Sequence, residues 1–520
     1  MSLPKFKNEP FTDFTKKKNR KDFQKALEKI TERFGKEYPI LIGEEQLYTD
    51  DKNGSFNPNR PDQVIGVFQK ATPEMGDKAI RHAYETFQTW KDVPAEKRAN
   101  ILLKAAKQLR KRKHEFSAMM VYEVGKNWSE ADADTAEAID FLEFYAREML
   151  RYDNPPALTK VPGEDNVQEY IPLGVCVIIP PWNFPLAIAI GMTSAAIVAG
   201  NTVCLKPSED SPAIAQMFVE LFQSVGLPPG VLNFVPGQGS IVGEVMVQHP
   251  LTRMIAFTGS MQVGLRINEV AAKKQPSQIW IKRVIAEMGG KDAIIIDKDL
   301  HNFDDAVQGV IASAFGFTGQ KCSACSRVIV DESIYDKFCD ALVEKASFIS
   351  VGDTVENPAM GPLVNGGSRD STLDYIRKAQ EEGGKLIAGG NPIDLNGGFY
   401  VEPTIIKDVK PTDTIAQEEI FGPVLAVIKA KDYDDALNIA NGTMFGLTGA
   451  VYTKSKKKIE RAYNEFFVGN LYINRKCTGA LVGGQPFGGF NMSGTDSKAG
   501  GQDYLLLFLQ AKVVSEKRIK

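Results

Sequence analysis

The sequence predicts an α/β protein of two domains, each built on a parallel sheet, with a smaller β element outside both. Two series of β-branched runs alternate with helical segments, one between residues 175 and 257 and one between residues 294 and 428. Such alternation is typical of parallel sheets. Residues 75–150 have the apolar periodicity of long amphipathic helices. A chain of 520 residues is also too long for one ordinary core, which favours more than one domain.

The domain boundaries follow from the order of these elements. The seam between the two series falls near residues 285–290, and two strand-like stretches, 167–171 and 504–514, lie outside both. We expect these stretches to pair with each other or with another subunit, which predicts a homodimer or a higher homo-oligomer. The predicted division is 1–153 (with an N-terminal helical arm) and 171–286 for the first domain, 287–477 for the second, 478–500 for a return to the first, and 154–170 with 501–520 for oligomerisation strands.

The composition excludes several classes of protein. Apolar residues make up 43% of the chain and charged residues 24%, which is the balance of a folded protein. A net charge of −3 at pH 7 gives no positive field for nucleic acid or anionic membranes. The six cysteines have no disulfide-framework spacing, and no secretory segment is recognisable, so we expect a cytoplasmic protein.

One uncharged stretch, residues 175–205, is long enough to cross a bilayer. Two consecutive prolines, Pro180 and Pro181, interrupt it, and a helix interior cannot hold them without losing hydrogen bonds. The prediction is therefore a buried strand, a polar turn and a buried helix rather than a membrane span.

Two glycine-bearing turns each join a predicted strand to a predicted helix. Gly237, Gly239 and Gly243 imitate a dinucleotide-binding motif without matching its spacing. In the turn with Thr258 and Ser260, a hydroxyl group and the free N–H groups of a helix N-terminus could hold a phosphate. An ordinary strand–helix turn is the alternative for each, and two such turns in succession favour a nucleotide-binding domain.

Cys322 lies in a glycine-rich segment just before a predicted strand at residues 328–330. A thiol at such a turn can act as a nucleophile if its pKa falls, and backbone N–H groups there can reach a reacting oxygen. Cys322 and Cys325 also form a C-x-x-C pair, so a dithiol redox pair and half of a zinc site are alternatives, although the second pair that zinc needs is missing. A buried structural thiol is the further alternative, and we prefer it for Cys325.

The acid–base chemistry of any site is expected to depend on a carboxylate. The four histidines lie away from every serine or cysteine motif, which argues against a histidine-based triad or metal site, and no metal is predicted. Glu287 ends an apolar run, where loss of water would raise its pKa toward that of a useful base. Asn183 follows three rigid residues, so its amide could be aimed at an oxyanion. A structural role is the alternative for each.

Several motifs stand in order along the chain: Pro181-Trp182-Asn183-Phe184, Lys206-Pro207-Ser208-Glu209, Phe257-Thr258-Gly259-Ser260, Glu287-Met288-Gly289-Gly290-Lys291, Gly319-Gln320-Lys321-Cys322 and Glu418-Glu419-Ile420-Phe421-Gly422-Pro423. This set resembles that of the aldehyde dehydrogenase superfamily, over roughly residues 40 to 515. The resemblance implies the aldehyde dehydrogenase fold, with a Rossmann-like NAD domain, a catalytic domain and a small β flap for oligomerisation.

The resemblance also implies a role for each matching residue. Cys322 would be the nucleophile, Asn183 and the Cys322 N–H the oxyanion donors, and Glu287 the base that activates water. The cofactor would be held by Ile179, Pro180, Pro181, Trp182, Lys206, Ser208, Glu209, Gly239, Gly243, Thr258, Gly259, Ser260, Val263, Gly289, Glu419 and Phe421. The Glu209 carboxylate would repel a 2′-phosphate, so we expect NAD, with NADP as the alternative.

The implied reaction oxidises an aldehyde to a carboxylate through a thioester on Cys322, which water activated by Glu287 then cleaves. Glu287 argues against relatives that transfer the thioester to coenzyme A. Two departures are visible: Pro181 stands where serine is common in the family, and Cys325 where a smaller residue is frequent.

Further segments are similar to the 1-pyrroline-5-carboxylate dehydrogenase branch of the superfamily, which oxidises L-glutamate γ-semialdehyde to glutamate. They are 11–14, 132–141, 319–324, 474–480 and 485–489. The resemblance would place the substrate carboxylate against Ser323, Gly479 and Ala480, the amino group near Glu137, and the methylene chain between Phe184 and Phe487. The resemblance also implies that proline dehydrogenase is a functional partner. The rival interpretations are an enzyme for another semialdehyde and a catalytically silent nucleotide binder.

Overall fold

Two seven-stranded sheets organise the computed structural model, which describes residues 3–519. Across the first sheet the strands are Arg283–Glu287, Thr252–Thr258, Val175–Ile179, Thr202–Leu205, Leu232–Phe234, Ile40–Ile42 and Glu45–Leu47. The first five run parallel, and the last two join as an antiparallel edge. Helices cover both faces, which explains why the central strands are continuous apolar runs rather than alternating ones.

The second sheet has the same size and a similar plan. Its strands in order are Lys385–Ala388, Thr404–Lys407, Val424–Ala430, Cys325–Asp331, Asp292–Ile296, Thr448–Tyr452 and Asn470–Ile473. Only the edge strand Lys385–Ala388 is antiparallel to its neighbour. The predicted α/β class with two parallel sheets is therefore confirmed. The first sheet ends at Glu287 and the second begins at Asp292, while the predicted domain boundaries themselves stay a prediction.

The helices cover the faces of these sheets and pack against one another. The α-helices are Lys17–Ile30, Pro73–Trp90, Ala95–Lys111, Lys113–Val124, Trp128–Tyr152, Ala187–Ala199, Pro212–Ser224, Glu244–Gln248, Met261–Ala272, Phe303–Phe315, Tyr335–Ala346, Gly366–Glu381, Thr414–Gln417, Tyr433–Asn441 and Lys456–Glu465. The longest, Trp128–Tyr152, begins where the Asn127 side chain accepts a hydrogen bond from the Glu130 N–H. It packs on Ala187–Ala199, which ends at Gly200 in the left-handed region with a φ of 98°.

Smaller elements complete the chain. A three-stranded sheet joins Lys36–Tyr38, Arg60–Gln69 and Lys52–Asn57, and two short pairs join Pro392–Ile393 with Tyr400–Val401 and Phe445–Gly446 with Phe490–Asn491. The short helical turns are Thr31–Arg33, Gly239–Gly243, Gly316–Gly319, Glu332–Ile334, Thr354–Glu356 and Tyr504–Phe508. The helix predicted after the turn with Gly237, Gly239 and Gly243 begins as a π-helical turn, Gly239–Gly243, and continues as the short α-helix Glu244–Gln248.

The two strand-like stretches outside the sheets pair with each other. Glu164–Pro172 and Leu509–Lys517 form an antiparallel ribbon along their whole length. The strand predicted to begin at Tyr504 begins at Leu509 instead, and residues 504–508 form a 3₁₀-helix. The prediction was wrong there because Tyr504, Leu505 and Phe508 are all buried, a spacing that suits a helical turn rather than an alternating strand.

The uncharged stretch from Val175 to Leu205 belongs to the first sheet and one of its helices. It forms two strands of the first sheet and the buried helix Ala187–Ala199 between them. Across residues 3–519, no helix is both long enough and apolar enough to span a membrane.

A buried carboxylate ties three elements of the first domain together. Glu123, which is 1% exposed, accepts hydrogen bonds from the N–H groups of Ala213 (2.6 Å) and Ile214 (2.9 Å) at the start of the helix Pro212–Ser224. It also accepts one from the Ser55 hydroxyl at 2.8 Å. Burial raises the pKa of Glu123 to about 7, although these donors oppose the shift. The side chain therefore serves as an internal cap for that helix.

We predict that Glu123→Ala lowers the thermal unfolding temperature clearly. The substitution leaves two N–H groups and a hydroxyl group buried without an acceptor, and each such group costs about 1–3 kcal/mol. The matched control is Glu32→Ala at an exposed position, where a change within about 0.5 kcal/mol is expected. Calorimetric melting of both variants checks this, and equal melting temperatures would contradict the capping role.

Candidate active site

One cavity of about 140 Å³ brings the candidate residues together. Its wall includes Thr258 and Glu287, which are register partners at the carboxyl ends of neighbouring strands in the first sheet. It also includes Cys322 and Ser323 from the loop before the strand Cys325–Asp331. The remaining predicted residues that line it are Glu137, Phe184, Gly479, Ala480 and Phe487. The two sheets and their loops thus bring residues from distant parts of the chain into one cavity.

The Cys322 loop is held by close backbone packing. A Cβ atom on Gly290 would lie 2.4 Å from the Cys322 carbonyl oxygen, and one on Gly319 would lie 2.2 Å from the Gly422 carbonyl oxygen. Phe317 and Thr318 have positive φ angles of 50° and 58°, in the left-handed region that side chains disfavour. The glycines and this strained turn set where the thiol enters the cavity.

The buried Gln320 side chain braces the same loop. Its amide group donates to the Pro362 carbonyl at 3.2 Å and accepts from the Val364 N–H at 2.9 Å. The Gln320 carbonyl in turn accepts a hydrogen bond from the Asn183 side chain at 3.1 Å. The loop is therefore fixed from the side of the second domain and from the side of the first.

The thiol of Cys322 is harder to ionise than the sequence alone suggested. Burial raises the pKa of Cys322 well above its ordinary value, and the carboxyl groups of Asp292, Glu419 and Glu287 raise it further. A hydrogen bond from the Ser323 N–H lowers it only in part. The lowered pKa expected of a nucleophile is absent in the free protein, because burial and then the surrounding carboxyl groups disfavour the thiolate. An acceptor for the thiol proton is therefore required.

Asn183 stands beside the loop rather than in the cavity wall. Its side chain is 4% exposed, and its Oδ1 accepts from the Phe184 N–H at 3.1 Å. One amide hydrogen of Asn183 is used by the Gln320 carbonyl, which leaves the second as a donor. The Cys322 N–H also donates to no protein acceptor within residues 3–519. Two N–H donors near the Cys322 loop thus have no protein acceptor in the described part of the chain, which an oxyanion site requires.

Glu287 has the properties expected of a poised base. Burial raises the pKa of its carboxyl group to about 8, while a hydrogen bond from the Ser497 hydroxyl and the nearby charge of Lys498 lower it. Its Oε2 atom is buried and has no hydrogen-bond partner among the described residues. A buried carboxyl group with one unpaired oxygen, on a residue that lines the cavity, can accept a proton from water that reaches it.

A second carboxyl group, Glu137, faces the same cavity without a partner. It lies on the helix Trp128–Tyr152 and makes no hydrogen bond or ion pair with any residue in 3–519. Its helical neighbours are both engaged, Asp134 with Lys126 at 2.7 Å and Asp140 with the Glu9 N–H at 2.6 Å. Burial and these two acids raise the pKa of Glu137 to about 8. A cationic ligand group would satisfy it.

Aromatic side chains form the apolar part of the wall. Phe184 and Phe487 line the cavity, and the buried ammonium group of Lys126 lies 4.0 Å from the centre of the Phe184 ring.

The sequence did not predict Lys126 as a support of Phe184 or Ser497 as a support of Glu287. Neither carries a local signal, because each contacts its partner from a different part of the chain.

A groove outside the cavity follows the carboxyl ends of the parallel strands in the first sheet. Ile179, Lys206, Gly239 and Thr258 each lie at or just after the end of a strand, which is where such sheets bind ligands. The Gly239 N–H donates to Glu209 at 3.4 Å. The structure therefore brings together residues that the sequence placed in separate motifs.

Glycines in this groove leave room for charged side chains. A Cβ atom on Gly243 would lie 3.3 Å from the buried Lys206 side chain, and one on Gly289 would lie 2.2 Å from the Glu419 carboxylate. The Gly290 N–H holds Glu419 in place at 3.0 Å. These contacts are the physical reason for glycine at both positions.

The groove also contains a helix N-terminus and aromatic packing. Ser260 caps the helix Met261–Ala272 by accepting from the Val263 N–H at 3.4 Å, and Val263 is 46% exposed. Trp182 packs edge-on against Phe421 at 5.5 Å. Free helix N–H groups suit a phosphate, and exposed apolar side chains suit a flat ring. The groove fits a dinucleotide.

Comparisons with known proteins agree with this geometry. A sequence model described as the aldehyde dehydrogenase family matches residues 48–514. A relative from Geobacillus thermodenitrificans, named 1-pyrroline-5-carboxylate dehydrogenase, is 54% identical over 512 residues, which are 98% of this chain and 99% of that one.

Two solved structures are similar along the whole chain. The crystal structure of 1-pyrroline-5-carboxylate dehydrogenase from Thermus with bound NAD has a TM-score of 0.97 and 48% identity, and all of both chains is covered. Proline utilization A from Bdellovibrio bacteriovorus, inactivated by N-propargylglycine, has a TM-score of 0.97 and 46% identity over all of this chain and 54% of that one. With its two parallel sheets, its thiol-bearing cavity and its dinucleotide groove, this chain belongs to the aldehyde dehydrogenase family.

Proposed function

We propose that the protein oxidises L-glutamate γ-semialdehyde, the open form of 1-pyrroline-5-carboxylate, to L-glutamate with NAD, as a step of proline degradation. The observation that carries this proposal is the cavity, where Cys322 and Glu287 share a wall with the unpartnered carboxyl group of Glu137 and with Gly479 and Ala480. The 54% identity to a 1-pyrroline-5-carboxylate dehydrogenase over nearly the whole chain supports the same substrate.

The polarity of the cavity suits a dipolar substrate. The Glu137 carboxylate would pair with the α-ammonium group, and the Ser323 hydroxyl with the N–H groups of Gly479 and Ala480 would bind the α-carboxylate. Phe184 and Phe487 would lie against the methylene groups, and the aldehyde would then reach Cys322. An aliphatic aldehyde without charges would leave the polar groups unpaired, which costs free energy.

The first chemical step is addition of the Cys322 sulfur to the aldehyde carbon. Burial and the nearby carboxyl groups raise the pKa of Cys322, so the thiol proton has to pass to solvent water as the sulfur adds, and Glu287 is kept for the hydrolysis step. The carbonyl oxygen becomes an oxyanion, for which Asn183 and the Cys322 N–H are the donors. Bound NAD would accept the hydride that leaves this carbon, which leaves a thioester on Cys322.

Hydrolysis of the thioester completes the cycle. Glu287 accepts a proton from water, the water oxygen adds to the thioester carbon, and the carbon–sulfur bond breaks, which releases the carboxylate and leaves a Cys322 thiolate that takes up a proton again. The Ser497 hydroxyl orients Glu287 by donating to its Oε1 atom, which leaves Oε2 for the proton.

The dinucleotide groove has side chains for each part of NAD. Lys206 and Glu209 would hold the adenosine ribose, the helix start at Ser260 the pyrophosphate, and Glu419 the nicotinamide ribose. The wider set of cofactor contacts is Ile179, Pro180, Pro181, Trp182, Ser208, Gly239, Gly243, Thr258, Gly259, Val263, Gly289 and Phe421. The NAD bound to the Thermus structure supports this assignment. The carboxylate of Glu209 would disfavour the 2′-phosphate of NADP.

The partners of the protein follow from the same proposal. The ribbon exposes apolar side chains, with Val167 60% and Val513 57% exposed, which supports pairing with a second subunit. The match to 54% of proline utilization A supports a functional partnership with an enzyme that oxidises proline. A cytoplasmic location stays a prediction.

We predict a strong preference for L-glutamate γ-semialdehyde over pentanal and succinate semialdehyde, because only the first supplies both the ammonium and the α-carboxylate. The kcat/KM for L-glutamate γ-semialdehyde should exceed that for pentanal at least about 100-fold, because pentanal loses two polar contacts. The absorbance of NADH measures this, and Cys322→Ala is the control, since it should bind NAD and yield no NADH. Equal turnover of all three aldehydes would contradict the substrate assignment, and turnover by Cys322→Ala would contradict the nucleophile.

We predict that Glu287→Gln releases one rapid equivalent of NADH and then turns over about 10²–10⁴-fold more slowly, because the amide cannot accept a proton from water. Stopped-flow absorbance and mass spectrometry of the trapped thioester measure this. The matched control is Glu137→Gln in the same cavity, which should raise KM without a burst. A steady rate of NADH release without a burst in Glu287→Gln would contradict the role of Glu287 as the base in hydrolysis.

We predict that kcat rises as the pH increases through about 8. The pKa of Glu287 is raised to about 8, so its carboxyl group is protonated and inactive as a base below that pH and ionised above it. Measuring kcat from pH 6.5 to 9.5 tests this. The rise near pH 8 should be absent from the residual kcat of Glu287→Gln. A flat wild-type profile would indicate a base with an ordinary carboxyl pKa.

A further inference from the structure

Arg475 lies just outside the cavity and is clamped in place. It follows the strand Asn470–Ile473, and its guanidinium carbon lies 4.4 Å from the centre of the Tyr472 ring. One nitrogen, Nη2, donates both to the Thr478 carbonyl at 2.8 Å and to the Gly479 carbonyl at 3.2 Å. Arg475 does not line the cavity itself.

These two hydrogen bonds determine where the next two N–H groups point. In a trans peptide the N–H group is directed opposite to the carbonyl group of the same unit. The Thr478 carbonyl shares its unit with the Gly479 N–H, and the Gly479 carbonyl shares its unit with the Ala480 N–H. Because both carbonyls face Arg475, both N–H groups point away from it.

The glycine makes this arrangement possible. Gly479 has a φ of 80°, in the left-handed region, and a residue in that region lets successive N–H groups face the same side. Within residues 3–519, neither the Gly479 N–H nor the Ala480 N–H donates to a protein acceptor, and both residues line the cavity. Two unpaired donors side by side form an anion site.

The third donor is tied to the same loop. The Cys477 thiol donates to the Ser323 carbonyl at 3.4 Å, so the residue that begins the loop also holds the backbone of Ser323. Ser323 lines the cavity. The positions of the loop donors and of the Ser323 hydroxyl are therefore linked.

We infer that Arg475 is a positioning residue for substrate specificity: it aims the Gly479 and Ala480 N–H groups at the α-carboxylate. This inference rests on the proposed function. The positive charge of Arg475 also polarises both carbonyls, which strengthens the N–H donors on the opposite side of each peptide unit. Without it the loop can rotate its peptide units, and the carboxylate loses its donors while the reacting groups at Cys322 stay unchanged.

The test compares Arg475→Gln with Lys476→Gln. Lys476 is the adjacent basic residue, is exposed, and donates no hydrogen bond to the loop carbonyls, so its substitution removes the same charge without the positioning contacts. In Arg475→Gln, KM for L-glutamate γ-semialdehyde should rise about tenfold with kcat nearly unchanged, as expected for weakened charge-assisted hydrogen bonds. KM and kcat for pentanal, which has no carboxylate, should stay within about twofold in both variants.

A second measurement does not depend on turnover of the semialdehyde. L-glutamate should protect Cys322 from alkylation by iodoacetamide, and 4-aminobutyrate, which is glutamate without its α-carboxylate, is the matched control ligand. The half-protecting concentration of L-glutamate should rise about tenfold in Arg475→Gln and not in Lys476→Gln, while that of 4-aminobutyrate stays constant.

Several results would overturn the inference. The kinetic results that would do so are an equal loss of activity on pentanal and on the semialdehyde in Arg475→Gln, or an equal rise of KM in Lys476→Gln. The protection results that would do so are an equal loss of protection by L-glutamate and 4-aminobutyrate in Arg475→Gln, or no protection of Cys322 by L-glutamate in the wild type. If the wild type fails to oxidise the semialdehyde but L-glutamate protects Cys322 in an Arg475-dependent way, the proposed function fails and the carboxylate site stands.

Discussion

The crossing from the first sheet to the second, residues 287–292, is the constraint on which the site depends. Glu287 ends the last strand of one sheet and Asp292 begins a central strand of the other, so only four residues span the seam. Gly289 leaves room for the Glu419 carboxylate, and Gly290 leaves room for the Cys322 carbonyl. Backbone contacts this close leave little freedom for movement. The base, the thiol and the groove are therefore positioned relative to one another by one short segment.

Electrostatics within the cavity follow from this packing. The loop that carries Cys322 is enclosed among Glu287, Asp292 and Glu419, and burial raises the pKa of the thiol and of Glu287 together. A low-dielectric space with several acids disfavours any further negative charge. The arrangement keeps the thiol protonated in the free protein and makes ionisation depend on what enters the cavity. The unpartnered acid Glu137 and the loop donors at Gly479 and Ala480 then select a ligand with charges of both signs.

The reactive groups are held in place partly by residues far away in the chain and partly by contacts within their own loops. Ser497 orients Glu287, Gln320 braces the Cys322 loop, Lys126 lies against Phe184, and Arg475 holds the carbonyls of the 478–480 loop. Ser497 and Lys126 reach their partners from distant parts of the chain, and Gln320 links its loop to residues 362–364. Arg475 contacts carbonyls only three and four residues away. The reactive residues could be recognised by their motifs, whereas these supports could be found only through their contacts.

The sequence by itself determined the alternation of strands and helices, because burial of both sheet faces requires apolar runs, and its short motifs predict the nucleophile, base and amide through a family resemblance. It also predicted that the strand-like stretches 167–171 and 504–514 lie outside both sheets, where the structure has the ribbon of Glu164–Pro172 with Leu509–Lys517. Only the tertiary structure decided that residues 504–508 form a helical turn and that the pKa of Cys322 is raised rather than lowered. Those outcomes depend on which distant groups pack around a residue, and the burial and charge they bring are properties of the folded chain rather than of any local pattern.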